Sequence, residues 1–181
     1  METRDEVELV RRALNGDGRA FEMLVSTYER VVYTAAYRMV GNAEDARDIT
    51  QNVFLKAFRS LRSFDPSHRF FSWIYRITIN ESLNFLRQRR PRQELDDTMT
   101  SGDPGPDVEA HHSQLRDVLQ HALLELPVDY RQAITLRHFL HRSHQEMSEL
   151  LGVPEKTVKS RLYTARQLLA KALGRRGVTS E

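Results

Sequence analysis

The chain has 181 residues, with 27 Lys and Arg against 25 Asp and Glu, a formal net charge of +2 and no cysteine. That length is enough for one sizeable core or two small ones. The missing cysteine excludes disulfides, thiolate zinc sites and thiol catalysis, and makes a reducing cytoplasm the expected location. No stretch is long and apolar enough to cross a bilayer, so no membrane insertion is expected, and the polar opening Met1–Glu8 does not read as a secretory signal.

In chain order, Val7–Leu14 reads as a short helix stopped by the NGDG run. Phe21, Leu24, Val25, Tyr28, Val31, Val32, Ala35, Ala36 and Met39 recur at three- and four-residue steps, one apolar face of a long helix that Gly41-Asn42 should end. A third helix opens at Ala43-Glu44-Asp45, with acids where the helix dipole favours them, and runs through Ile49, Val53, Ala57 and Leu61. Pro66 breaks the pattern, and a fourth helix is expected from about Phe71 to Arg90. Residues 92–113 are poor in apolar side chains, rich in Gly, Pro, Ser and Thr, and without a period; they read as a flexible linker. Beyond it, Leu115, Val118, Leu119, Ala122, Leu123 and Leu126 form one stripe, stopped by Pro127, and Ala133, Leu136 and Phe139 belong to another. No β-type alternation occurs. The expected fold class is all-α, two small helical domains joined by an acidic tether.

Charge follows the same division. Residues 1–92 hold 16 Lys and Arg against 12 acids, residues 93–113 hold none against 6, and residues 114–181 hold 11 against 7. Two mildly basic blocks around an acidic strip suit nucleic acid, or simply a solvated surface.

The stretch from Ser143 to Leu169 carries the most specific local signals. Ser143 and Glu146 fit a capping box. Met147, Leu150 and Leu151 give the helix after it a buried side, and Gly152 suits the tight turn that follows. Pro154 suits the first position of the next helix, whose Val158, Leu162, Ala165 and Leu169 face inward. Helix, short glycine turn and helix make a helix-turn-helix, whose second helix enters the major groove. Lys159 and Arg166 have the chemistry for phosphate or guanine, Thr157, Ser160 and Tyr163 for base edges and thymine methyls, and Arg161 for phosphate or a neighbouring acid.

Near the fourth helix, Phe70, Phe71, Trp73 and Tyr75 alternate with Arg69, Arg76, Arg87, Arg89 and Arg90. Aromatic and arginine side chains together suit single-stranded nucleic acid. Trp73 reads as core, whereas the loop aromatics and Asn80 read as functional.

Three stretches, AEDARDITQNVFLKAFRSLRSF, FFSWIYRITINESLNFLRQRR and LPVDYRQAITLRHFLHRSHQEMSELLGVPEKTVKSRLYTARQLL, together resemble an extracytoplasmic-function (ECF) sigma factor of bacterial RNA polymerase. The resemblance covers nearly the whole chain outside the linker and the last residues. It implies a sigma-two-like domain at 1–91, a linker at 92–113, a sigma-four-like domain at 114–175 and a tail at 176–181. It implies that Asp48, Gln51, Asn52, Phe54, Lys56 and Phe58 dock on the clamp coiled coil of the polymerase largest subunit. Family members usually carry Glu at the position of Asn52. The loop from Ser63 to Phe71, with Phe64, His68, Arg69, Phe70 and Phe71, resembles the one that captures a flipped base of the promoter minus-ten element. Asn80, Asn84 and Arg87 would read the duplex just upstream. Thr157, Lys159, Ser160, Arg161, Tyr163 and Arg166 would read the minus-thirty-five element. Many members have Arg at Lys159, Tyr at His144 and Ala at Ser148. An anti-sigma factor is a further expected partner, beside core polymerase and duplex and single-stranded promoter DNA.

In the family the linker threads toward the active-site cleft. Its six carboxylates suit an imitation of nucleic acid, and an inert spacer suits the sequence equally. The spacing His138, His141, His144 would place only two imidazoles on one helix face, so no metal is expected, and no cofactor or enzymatic constellation stands out. The readings left beside a sigma factor are a stand-alone helix-turn-helix regulator, which would not need the first block in this form, and a helical adaptor that ignores DNA.

Overall fold

A computed structural model describes residues 4–89 and 107–178. Every regular element among them is helical, and the chain divides into two compact units, residues 1–85 and 86–181.

The first unit is built from local stop and start signals. Helix α1 (Arg4–Leu14) ends at the Asn15-Gly16 turn, and Asp17 caps α2 (Gly18–Val40) by accepting a hydrogen bond from the Ala20 amide at 3.2 Å. Gly41 closes α2 at φ 82°, a left-handed conformation that glycine adopts without a Cβ penalty. Asn42 then caps α3 (Ala43–Ser60), its side chain accepting from the amides of Glu44 and Asp45 at 2.8 and 3.1 Å. A single 3-10 turn, Leu61–Ser63, leads into the loop before α4 (Phe70–Arg89). The boundaries follow the sequence reading closely, because each depends on residues within a few positions of it.

The core of this unit draws on α2 (Phe21, Leu24, Tyr28, Val32, Met39), α3 (Ile49, Val53) and α4 (Phe70, Phe71, Ile74). Ala35, Ala36, Ala46 and Ala57 are fully buried, and their small side chains let α2 and α3 approach closely. The buried hydroxyls of Thr50, Thr78 and Ser82 donate to the carbonyl four residues back, at 2.7–2.8 Å, so burying them strands no donor. The Tyr28 hydroxyl donates to Glu6 and ties α1 to α2.

The second unit holds α5 (Asp107–Leu124), α6 (Val128–Ile134), α7 (His144–Leu151) and α8 (Glu155–Gly174). Residues 107–113, read from sequence as linker, belong to α5. Their low apolar content hides the helix from a reading of composition. The rest of the expected linker that precedes α5 lies outside the described residues. Leu123, Leu126, Ile134 and Ala165 centre the core, with Leu119, Tyr130, Phe139, Leu168 and Leu169 packed around them.

Helix α6 does not continue at 3.6 residues per turn. It widens into a π turn over Thr135–Phe139, where the Leu140 amide bonds the Thr135 carbonyl at 3.0 Å. Of the expected stripe Ala133 and Leu136 are buried, Phe139 only partly, and the neighbouring Leu140 is buried. Arg131 is buried as well. Its guanidinium donates to the carbonyls of Leu123, Leu124 and Leu126 at 3.1, 2.6 and 3.1 Å, capping the end of α5.

Candidate docking groove and nucleic-acid interface

The turn between α7 and α8 is held at both ends. The Ser143 hydroxyl accepts from the Glu146 amide at 3.1 Å, and the Ser143 amide donates to the Glu146 carboxylate at 2.8 Å, so the capping box is complete. Partial burial opposes ionisation of Glu146. The hydrogen bonds from Ser143 and the nearby Arg142 outweigh it and hold this carboxyl below its ordinary value. Gly152 sits at φ 64°, and the Ser148 hydroxyl donates to the Val153 carbonyl at 2.6 Å. Ser148, one of the departures from the family pattern, thus ties the turn shut. Pro154 takes the N-cap, one position ahead of the first-turn place expected for it, because its extended ψ of 150° lies outside the helix.

From that turn α8 buries Val158, Leu162 and Ala165 and sends Lys159, Ser160, Tyr163 and Arg166 outward. Tyr163 is 68% exposed, far more than an aromatic ring needs for packing. Thr157 is half-buried at the edge of this face. Arg161 also lies partly covered, paired with Asp129 at 3.3 Å, which is the neighbouring-acid role rather than the phosphate one. Lys156 is exposed one turn before Ser160 on the same face; the repeat at three- and four-residue steps was the signal that sequence reasoning passed over. Desolvation, then the charges of Arg166, Arg137 and His141, push the His138 imidazole below its ordinary pKa, so His138 borders the Arg166 side of this face. Among the described residues no three His, Asp or Glu side chains gather as a metal ion would need.

In the first unit, α4 presents Arg76, Asn80, Asn84 and Arg87 on one exposed face, spaced by four, four and three residues. Arg76 extends the expected set by one turn. The loop before α4 divides differently from the sequence reading. Asp65, Pro66, Ser67, His68 and Arg69 are exposed, and the Ser67 amide, donating at 2.9 Å, holds the Asp65 carboxyl low. Phe64, Phe70 and Phe71, expected to meet the nucleic acid, are buried instead; Phe70 is 1% exposed. Phe64 and Phe70 pack at 5.7 Å, Trp73 joins both at 5.2 and 5.5 Å, and Tyr28 meets Phe70 at 5.4 Å. Aromatic contacts of this kind add to the gain from burial. They leave these three rings no face for a base in this conformation.

Helices α2 and α3 bound an open groove of about 710 Å³. Phe21, Val25, Phe54, Leu55 and Phe58 form its apolar wall, with Glu29, Arg30, Arg47 and Gln51 also lining it. Phe58 is 60% exposed and touches Phe21 edge-on at 5.2 Å. Three expected docking residues, Gln51, Phe54 and Phe58, line the groove, and Asp48 and Asn52 are exposed on the same helix. Leu55 and Val25 were missed, although an apolar Leu55 at an exposed helical position is a readable signal. Lys56 departs from the set. Its ammonium reaches across to Glu81 of α4 at 2.5 Å.

A helix-turn-helix unit and a helical unit with a polar helix face and an apolar groove are the two parts that the comparisons with known proteins match. The Sigma-70 region 2 family model matches residues 24–92, and the Sigma-70, region 4 model matches residues 116–169. The chain is 36% identical to the RNA polymerase sigma-H factor of Pseudomonas aeruginosa, covering 92% of each chain. It is 32% identical to the ECF RNA polymerase sigma factor SigW of Bacillus subtilis, over 91% of this chain and 94% of that one. Among solved structures it is similar to CnrH, in complex with the cytosolic domain of CnrY, with a TM-score of 0.72, 26% identity and coverage of 94% and 98%. It is also similar to RpoE of Bartonella quintana, in complex with the anti-sigma factor NepR, with a TM-score of 0.68, 25% identity and coverage of 85% and 96%. The chain belongs to the sigma-70 family, as an RNA polymerase sigma factor of the ECF type.

Proposed function

We propose that this sigma factor docks on core RNA polymerase through the α2–α3 groove and directs it to promoters with two separate DNA faces. Asp48, Gln51, Asn52, Phe54 and Phe58 form the polymerase face, and Leu55 extends it. Lys159, Ser160, Tyr163 and Arg166 of α8, with Thr157 at the edge, read the minus-thirty-five duplex. Asn80, Asn84 and Arg87 of α4 meet the duplex beside the minus-ten element. His68 and Arg69 meet the opened strand, and Phe64, Phe70 and Phe71 support that loop from the core. The observation that carries this reading is the apolar wall of the groove, with Leu55 and Phe58 exposed and Phe54 half-buried beside them. A stand-alone regulator would bind DNA through α8 and has no need of such a wall.

The protein itself is not an enzyme on this reading. Nucleotide addition belongs to the polymerase, and the sigma factor contributes binding energy that favours opened DNA. Unstacking and flipping a base costs a few kcal/mol, which contacts to the base and backbone offset. It acts in the cytoplasm, where polymerase and promoters are. An anti-sigma factor is a fitting partner, since two similar proteins have been captured in complexes, one of them with the anti-sigma factor NepR.

The test is transcription in vitro with the purified chain, bacterial core polymerase and genomic fragments, followed by mapping of transcript starts. Discrete starts that share two upstream elements and require the protein are expected. Failure to bind core would refute the reading and leave the regulator.

A further inference from the structure

Lys56 was expected among the polymerase contacts, and its placement gives it a partner within the chain. At about 100° per residue, it lies roughly 140–160° around α3 from Gln51, Phe54 and Phe58, which line the groove, and about 40° from Asn52, one turn before it. There its ammonium meets the Glu81 carboxylate at 2.5 Å, with the Glu81 side chain 16% exposed and that of Lys56 56% exposed.

Glu81 is the one acid in α4. It sits at the edge of the polar face, next to Asn80 and three residues before Asn84. Duplex DNA carries about one negative charge per 1.7 Å of axis, so an uncompensated carboxylate at that edge would repel the phosphates the face is to meet. A half-exposed ion pair adds little to folding stability. Its effect is on the field that α4 presents.

We propose that Lys56 is a positioning residue for promoter DNA: by pairing with Glu81 it neutralises the carboxylate bordering the Arg76–Asn80–Asn84–Arg87 face and holds it toward α3. The proposal rests on the reading of that face as a duplex contact. Lys56 then acts through Glu81, and core polymerase does not require it.

The experiment uses the full-length chain with core polymerase and a promoter fragment taken from the start mapping. Lys56→Met, Glu81→Gln and the double variant are compared for core affinity, promoter affinity across a salt series, and thermal unfolding. Lys56→Met should leave core affinity unchanged and weaken promoter binding about threefold, within the range of single charge changes near an interface. Glu81→Gln alone should bind promoter as tightly as wild type or tighter. The double variant should return to within about twofold of wild type. Weakened core binding by Lys56→Met would overturn the proposal and restore a direct polymerase contact. So would an unchanged promoter affinity, or a loss that Glu81→Gln does not rescue. Matching losses of promoter affinity and melting temperature in both single variants would mark the pair as structural and overturn it too. If the wild-type chain fails to bind core at all, the function reading falls, and this proposal with it.

Discussion

Replacing Arg131 by Met tests how the second unit is held together. Arg131 is 7% exposed, and its guanidinium bonds three carbonyls at the end of α5. A helix end leaves its last carbonyls without intrahelical donors, and a cation there also meets the negative end of the dipole. Met keeps much of the side-chain volume and removes the guanidinium donors; Leu123 keeps its bond from the Leu126 amide at 3.1 Å, so the carbonyls of Leu124 and Leu126 are the ones stranded. Each carbonyl left buried without a partner costs about 1–3 kcal/mol. Relief of the desolvation that already lowers the Arg131 pKa returns part of that. The net loss is about 2–4 kcal/mol, a large share of the stability of a small domain. At about 4–8 °C per kcal/mol, the second unit should melt at least about 8 °C lower, while the first unit is unaffected. Hydrogen exchange resolved by segment, with calorimetry of the full chain, reads both. A loss below about 1 kcal/mol would show that water or neighbouring donors satisfy these carbonyls, and would refute the capping argument.

Phe58→Ala should weaken core polymerase binding by about 2 kcal/mol or more, as for an aromatic anchor, and leave binding of a minus-thirty-five duplex intact; a titration of each partner checks this. Tyr75 is buried, its hydroxyl meets no partner, and burial pushes its phenol well above the ordinary pKa. Tyr75→Phe should therefore be neutral or stabilising by up to about 1 kcal/mol in thermal unfolding, and a clear loss would reveal a missing acceptor. The folded pKa of Glu146 is lowered, so its contribution to stability is present above the unfolded value and lost as pH falls through the folded one. The second unit should lose stability below about pH 4, and Glu146→Gln should lessen that acid dependence in a pH series of melts.

Local physics was legible in the chain. The Ser143–Glu146 capping box and the glycine turns at Gly41 and Gly152 each involve residues within a few positions, so composition and spacing foretold them. The inward stripe of α8 followed from helical period alone, and with it the outward Lys159, Ser160, Tyr163 and Arg166. The start of α5 was hidden by its linker-like composition.

What stayed hidden depends on partners far along the chain. Period told that Lys56 is exposed, and only the approach of α4 decided which exposed flank it occupies and that Glu81, 25 residues on, receives it. Phe64, Phe70 and Phe71 had the residue types of a stacking platform, and they became core because Tyr28 of α2 and Trp73 of α4 close around that region. Arg131 had no sequence mark of a buried cap, since the carbonyls it satisfies lie across the Pro127 turn. The sequence by itself determined the helices, their ends and which side of each is apolar, because those rest on short-range hydrogen bonds and a fixed period. Tertiary structure alone decided which polar or aromatic side chains are spent on internal contacts and which remain for polymerase and DNA, because that choice depends on which surfaces meet.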